Sequence, residues 1–181
     1  MQSLLSSALR DKQKIFNKDN RRGRDNLPLF YIYTDGSSSH ITHEGGWAYI
    51  ILGEEGFVTQ NYGYVVGATN NSMELKAAIE GIKYLSEQKC QIELFSDSAY
   101  MINTIKHGWW HDWEKNNWTK RNGVVTPNAS LWQELILLLQ KTPTEFTKVK
   151  AHSGDKLNDY CDKLAKEARK SQGEPIPYTN I

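Results

Sequence analysis

The chain has 181 residues, enough for one domain with a single core plus tails, and 39% of them are apolar. No apolar run approaches the roughly 20 residues that a membrane span needs, so no membrane partner is expected. The net charge of +1 hides an asymmetry: residues 1–28 hold seven Lys or Arg against three Asp, which leaves the rest of the chain at −3. A body of that sign is unusual for a binder of polyanions unless its acids hold metal and its lysines are grouped elsewhere. Cys90 and Cys161 fall in a predicted strand and a predicted helix and form no Cys-x-x-Cys pair. They suggest neither a disulfide framework nor a structural zinc site, and fit a reducing, cytoplasmic compartment, with mitochondrion or nucleus as the alternatives.

Residues 1–28 are basic, polar and poor in aromatics, and read as a mobile arm. Its first ten residues read as the start of an amphipathic helix or as a transit peptide; Asp11, Asp19 and Asp25 argue against the transit peptide. Leu29–Thr34 is aromatic and β-branched, hence a strand, and Gly46–Leu52 and Phe57–Val66 follow as strands joined by a hairpin turn at Gly53–Gly56. Asn70 or Asn71 caps a helix to about Gln88, in which Leu75, Ala78, Ile79, Ile82 and Leu85 form an apolar stripe. Gln91–Phe95 is a fourth strand and Ser98–Lys106 a short helix. Asn128 opens a helix to about Lys141 with Leu131, Leu135, Leu138 and Leu139 inward. Glu145–Lys150 is a fifth strand, Leu157–Lys170 a closing helix, and residues 172–181 a loose tail. This order predicts an α/β domain over residues 29–171. Its sheet is mixed and five-stranded, three antiparallel strands followed by parallel ones, with helices on both faces.

Four acids stand out by where these elements put them. Asp35 closes the first strand and Asp97 the fourth; if those strands are parallel neighbours, both emerge at the same carboxyl edge. Glu74 falls in the first turn of its helix beside the apolar stripe, and Asp162 adjoins Cys161 and Leu164 on the last helix, one turn after Asn158. Each has an ordinary explanation taken singly: a turn at Asp35-Gly36, a dipole-favoured acid at Glu74, an N-cap at Asp97-Ser98, a surface pair between Asp162 and Lys166. Converged, they would repel one another unless cations sat between them, and two divalent ions about 3.5–4 Å apart are the known device for in-line phosphodiester cleavage.

Tyr33-Thr-Asp-Gly-Ser37, Thr69-Asn-Asn-Ser-Met-Glu-Leu75, Ser96-Asp-Ser-Ala-Tyr100, Leu131-Trp132 and Val149-Lys-Ala-His152, followed by Asn158 and Cys161-Asp162, resemble in order and spacing a type 1 ribonuclease H of the cellular or bacterial kind. The resemblance covers about Leu29 to Ser171. It implies an RNase H-like fold and metal-binding acids at Asp35, Glu74, Asp97 and Asp162. These would hold two Mg²⁺ ions bridged by Asp35, with Mn²⁺ as a substitute. It implies endonucleolytic hydrolysis of the RNA strand of RNA–DNA hybrids, leaving 5′-phosphate and 3′-hydroxyl ends. His152 then corresponds to a mobile histidine that assists proton transfer or product release.

The same resemblance places Gly36, Ser37, Ser38, Asn70, Asn71 and Asn158 on the hybrid, and Thr69 with Asn70 at a DNA-strand phosphate. Residues 107–121 resemble a basic handle for the DNA strand. There Trp109, Trp118, Lys115, Lys120 and Arg121 are the expected contacts, and Trp110 and Trp113 are expected to pack inward. Three features depart from the family pattern: the Ser38–Glu44 loop is not Gly/Asn/Pro-rich, Ala99 stands where many members have Gln, and the arm lacks the aromatics of a hybrid-binding domain. All fall away from the metal ligands, so they bear on affinity rather than on the reaction. Two other readings remain open. A non-catalytic hybrid-binding module would lack at least one acid, and a domain severed from a reverse transcriptase would have a viral or mobile-element source. The initial Met and the handle favour a stand-alone, cellular-type protein, and a monomer is expected.

Overall fold

A computed structural model describes residues 27–150 and 154–176. The predicted arm up to residue 26, His152, and residues 177–181 of the predicted tail lie outside the described residues. The elements run β1 (Leu29–Ser38), β2 (Glu44–Gly53), β3 (Gly56–Val66), α1 (Asn70–Leu85), β4 (Gln91–Ser96), α2 (Ala99–His107), α3 (Trp109–Lys115), α4 (Ala129–Lys141), β5 (Thr144–Lys148) and α5 (Lys156–Lys170). The five strands lie in the order β3-β2-β1-β4-β5. Pairing is antiparallel from β3 to β1 and parallel from β1 to β5, as the sequence pattern implied.

Strand alternation sorts the core into two layers. Ile32, Trp47, Tyr49, Ile51, Ile92 and Leu94 face the layer completed by α1, α2 and α4, where Leu75, Ile79, Ile82, Met101, Trp132 and Leu135 are buried. Tyr33, Ala48, Ile50, Leu52 and Phe95 face the opposite layer, closed by Leu157, Cys161, Leu164, Ala165 and Ala168 of α5. Two glycines let the helices sit directly on the strands. A Cβ at Gly36 would meet the backbone N of Glu74 and lie 2.7 Å from Met73 Cβ on α1, while one at Gly46 would meet the Ala165 carbonyl and lie 2.6 Å from Arg169 N on α5.

Several boundaries differ from the expectation for identifiable reasons. β1 continues through Asp35 to Ser38 because β2 supplies partners along the whole stretch, from Tyr31↔Leu52 to Ser38↔Gly45. The low strand preference of Asp-Gly-Ser-Ser yields to that ladder. The cap of α1 is Thr69, not Asn70 or Asn71: its hydroxyl accepts from Ser72 N at 3.2 Å, and its own N–H donates to the Ser72 hydroxyl at 2.8 Å. Glu74 therefore lies in the second turn, and the helix ends at Leu85 rather than Gln88. Cys90 precedes β4 instead of lying within it; both cysteines are free and buried. The chain directly after α5 is anchored rather than loose. Gln172 Nε2 donates to Glu44 at 2.9 Å, and Ile176, itself buried, donates its N–H to the Tyr62 hydroxyl at 3.0 Å.

Candidate active site

The parallel register of β1 and β4 ends at Tyr33↔Phe95, where the two rings stack at 4.7 Å and 9°. Two residues further on, on the same face, come Asp35 and Asp97. Asp35 is still inside a strand, held by β2, whereas β4 has stopped at Ser96. Ser98 then caps α2 by accepting from Met101 N at 3.3 Å, so the expected N-cap at this turn falls on Ser98 and leaves Asp97 free of that duty. Glu74 enters from α1 over the edge that β4 vacates. Its Oε2 accepts from the Ser96 hydroxyl at 3.4 Å, and that same hydroxyl oxygen accepts from Ser98 N at 3.1 Å. Asp162 approaches from α5 on the other side of the sheet.

The placement shows in the electrostatics of Asp35 and Glu74. Asp35 is only 4% exposed, and its carboxyl is pushed up to about 8 by burial and by the fields of Asp97 and Asp162, against the Gly36 N–H and the Lys166 ammonium. Glu74, 8% exposed, is raised well above the ordinary carboxylate range by burial and then by Asp35 and Asp97, with the Gly36 N–H and Ser96 opposing. Between them the two acids feel every other member of the quartet. Beneath them sits Cys161, whose Sγ lies 3.5 Å from the Tyr33 carbonyl oxygen and 3.3 Å from that of Ala48. Burial, with the nearby carboxylates, pushes its thiol up, so it is a packing residue and not a nucleophile.

The donor set is all oxygen, which suits hard divalent ions. No three His, Cys, Asp or Glu among the described residues close into a ready-made cage.

The expected substrate residues divide. Ser38 and Asn70 are brought together: Asn70 Oδ1 accepts from the Ser38 N–H at 2.7 Å and from its hydroxyl at 2.8 Å, tying the end of β1 to the start of α1. Gly36 and Ser37 belong to the end of β1, where Ser37 is buried at 8% exposure, and Asn71 to the start of α1, where Thr69 spends its hydroxyl on the cap. Trp109 is 48% exposed, and Lys115, Lys120 and Arg121 are exposed as well. Trp110 and Trp113 pack inward, as expected. Two assignments need correction. Trp118 is only 8% exposed: its positive φ of 57° turns it under the handle beside Trp113 at 6.3 Å, so it supports the handle without offering a face to a duplex. Asn158 is 2% exposed, one turn before Asp162 in the buried layer, and presents no surface. His152 lies outside the described residues.

Sequence reasoning overlooked Ser96, which donates to Glu74, and took the Asp162–Lys166 pair as a plain surface pair, whereas both of its charges reach Asp35. The signal for Ser96 was its place at the last strand position, where a hydroxyl faces the α1 layer by alternation.

Comparison with known proteins bears on the family and the fold. A family model described as RNase H matches residues 29–170. The ribonuclease H of Thermoanaerobacter sp. (strain X514) is 41% identical over 153 residues, 84% of this chain and 97% of that protein. Among solved structures, LC9-RNase H1, a type 1 RNase H with the type 2 active-site motif, matches with a TM-score of 0.69 and 23% identity, over 81% of this chain and 74% of that one. LC11-RNase H1, solved in complex with an RNA/DNA hybrid, matches with a TM-score of 0.61 and 17% identity, over 78% of this chain and 97% of that one. At such identities the structural likenesses speak for the fold, whereas the family match and the 41% identical relative speak for more. The chain belongs to the ribonuclease H family of enzymes.

Proposed function

We propose that this protein hydrolyses the RNA strand of RNA–DNA hybrids, using two divalent cations held by Asp35, Glu74, Asp97 and Asp162 and leaving 5′-phosphate and 3′-hydroxyl ends. What supports this reading is the placement of the four acids, with Asp97 and Asp162 near enough to raise Asp35 and Asp35 and Asp97 near enough to raise Glu74, within a chain matched by the RNase H family model. Bound there, Mg²⁺ or Mn²⁺ would supply an activated attacking water and charge stabilisation for the departing 3′ oxygen.

The chain's own contribution is to hold four carboxyl groups close together before any substrate arrives. Gly36 donates its N–H to the paired acids, Ser96 fixes Glu74, and the close approaches at Gly36 and Gly46 set the two helices against the strands. His152 is assigned the accessory role in proton transfer or product release. The Ser38–Asn70 pair, with Gly36, Ser37, Thr69 and Asn71, forms the rim against which the hybrid lies, and an RNase H relative of the same fold was solved with an RNA/DNA hybrid. Discrimination between the strands rests on polar groups that find a 2′-hydroxyl on one and its absence on the other.

The direct test is cleavage of labelled RNA–DNA, RNA–RNA and DNA–DNA duplexes with and without EDTA. Cleavage of the RNA strand of the hybrid alone, abolished by EDTA, is expected. EDTA-resistant cleavage, or equal cleavage of all three duplexes, overturns the proposal. The handle has its own test. Replacing Lys115, Lys120 and Arg121 together by Ala should weaken hybrid binding and reduce the slope of log affinity against log salt by roughly 0.7–0.9 for each phosphate no longer neutralised. A slope equal to the parent's removes the handle from the binding surface. Among the described residues no helix is long and apolar enough to cross a membrane.

A further inference from the structure

Lys166 stands one helical turn after Asp162 on α5, and its Nζ lies 2.6 Å from Asp162 Oδ2. The two side chains are 43% and 21% exposed, so the contact is partly shielded from water on the acid's side. Two other helix-surface pairs, Lys76–Glu80 at 2.6 Å and Lys170–Glu167 at 2.7 Å, have the same length and nearly the same spacing. What separates Lys166 from them is its surroundings. Its partner belongs to the four-acid cluster, and its charge reaches Asp35 in opposition to the carboxylates.

From this geometry we infer that Lys166 is an internal counter-cation of the carboxylate cluster, competing with the divalent ion for Asp162 and thereby setting how much metal the site requires. The inference rests on the proposed role of Asp162 as a metal ligand. An oxygen that accepts a short bond from an ammonium has less electron density to offer an ion, and two cations that share one carboxylate repel each other. A lysine suits this part. Its point charge rides on a flexible stem that is already partly in water, so the ammonium swings away at little cost; a guanidinium held by a two-pronged bond would not. Lys166 therefore has two opposite effects. Without metal it relieves the repulsion among the acids and stabilises the fold. When metal arrives, it must give up its partner, which raises the concentration at which the site fills.

The opposed signs provide the test, with Mn²⁺ as the probe and the free ion followed by electron paramagnetic resonance on the full chain at one fixed pH for parent and variants. Lys166→Met should bind Mn²⁺ roughly two- to fivefold more tightly than the parent, the equilibrium worth of a partly exposed ion pair, while its metal-free melting temperature falls. Lys166→Gln should behave alike. Lys163→Met, which removes an exposed charge from the same helix, should change neither quantity. Unchanged or weaker Mn²⁺ binding by both Lys166 variants overturns the inference. Asp162→Asn separates this inference from the one beneath it. If that variant weakens Mn²⁺ binding while the Lys166 variants match the parent, only the competition is refuted. If it leaves binding unaltered, the assignment of Asp162 as a ligand falls, and the competition with it.

Discussion

Asp97→Asn should abolish hydrolysis of a labelled RNA–DNA hybrid in Mg²⁺ or Mn²⁺, lowering the rate by a factor on the order of 10³ or more, while the protein stays folded. The reasoning is local. Asp97 lies just past the end of β4, it does not cap α2, and its field falls on both Asp35 and Glu74. The amide keeps the shape and removes the charge, so what disappears is the ability to hold a cation. Folding relies instead on the layers above and below the sheet, which Asp97 does not enter. Single-turnover cleavage together with a circular dichroism melt checks both halves, and near-parental turnover by a folded variant would remove Asp97 from the site.

The second large effect concerns stability in the absence of metal. Asp35 rises from an ordinary value of 3.8 to about 8 in the folded protein, and Glu74 is raised as well. Between about pH 4 and pH 8 the folded state therefore holds more protons than the unfolded one, and stability falls as pH rises through that window, levelling off above it. This is the reverse of the usual carboxylate, which gains a partner on folding and loses stability in acid. In EDTA the melting temperature should drop by several degrees from about pH 5 to about pH 8. Asp35→Asn should flatten that decline and melt higher than the parent at the alkaline end. Mg²⁺ should raise the parent's melting temperature far more at the alkaline end than at the acid one, because only ionised carboxylates attract it. A metal-free melting temperature that climbs across the window in parent and variant alike would mean that the acids do not repel one another in the folded state.

Much of this was legible in the sequence. Periodicity separated strands from helices, the order of elements implied a mixed sheet, and the acids fell where ordered elements end. The remainder was decided by partners distant along the chain. Nothing local says that Asp35-Gly36-Ser37-Ser38 stays in a strand; Gly45–Ala48 decides it by pairing there. Trp118 looked like one more aromatic among basic residues, and its left-handed backbone, which turns it under Trp113, is invisible in composition. Asn158 shares a helix face with Asp162, but that face is buried at one residue and opens at the next turn, a change set by where β1 and β2 lie beneath α5. Thr69 outcompeted two asparagines for the cap because Ser72 sits at the position that answers it.

The missing side chains at Gly36 and Gly46 have a consequence for how enzymes of this build diverge. With no side chain to hold them apart at these two points, α1 and α5 are gauged there directly against β1 and β2, so the separation of Glu74 and Asp162 from Asp35 is sensitive to any atom added at either glycine. The Ser39–His43 turn lies beyond that junction and is closed by its own hydrogen bonds, Ser39 N to the Glu44 carbonyl at 2.9 Å and His43 N to the Ser39 carbonyl at 2.8 Å. Its chemistry is thereby free to drift and retune which duplexes are gripped, without disturbing the spacing on which bond breaking relies.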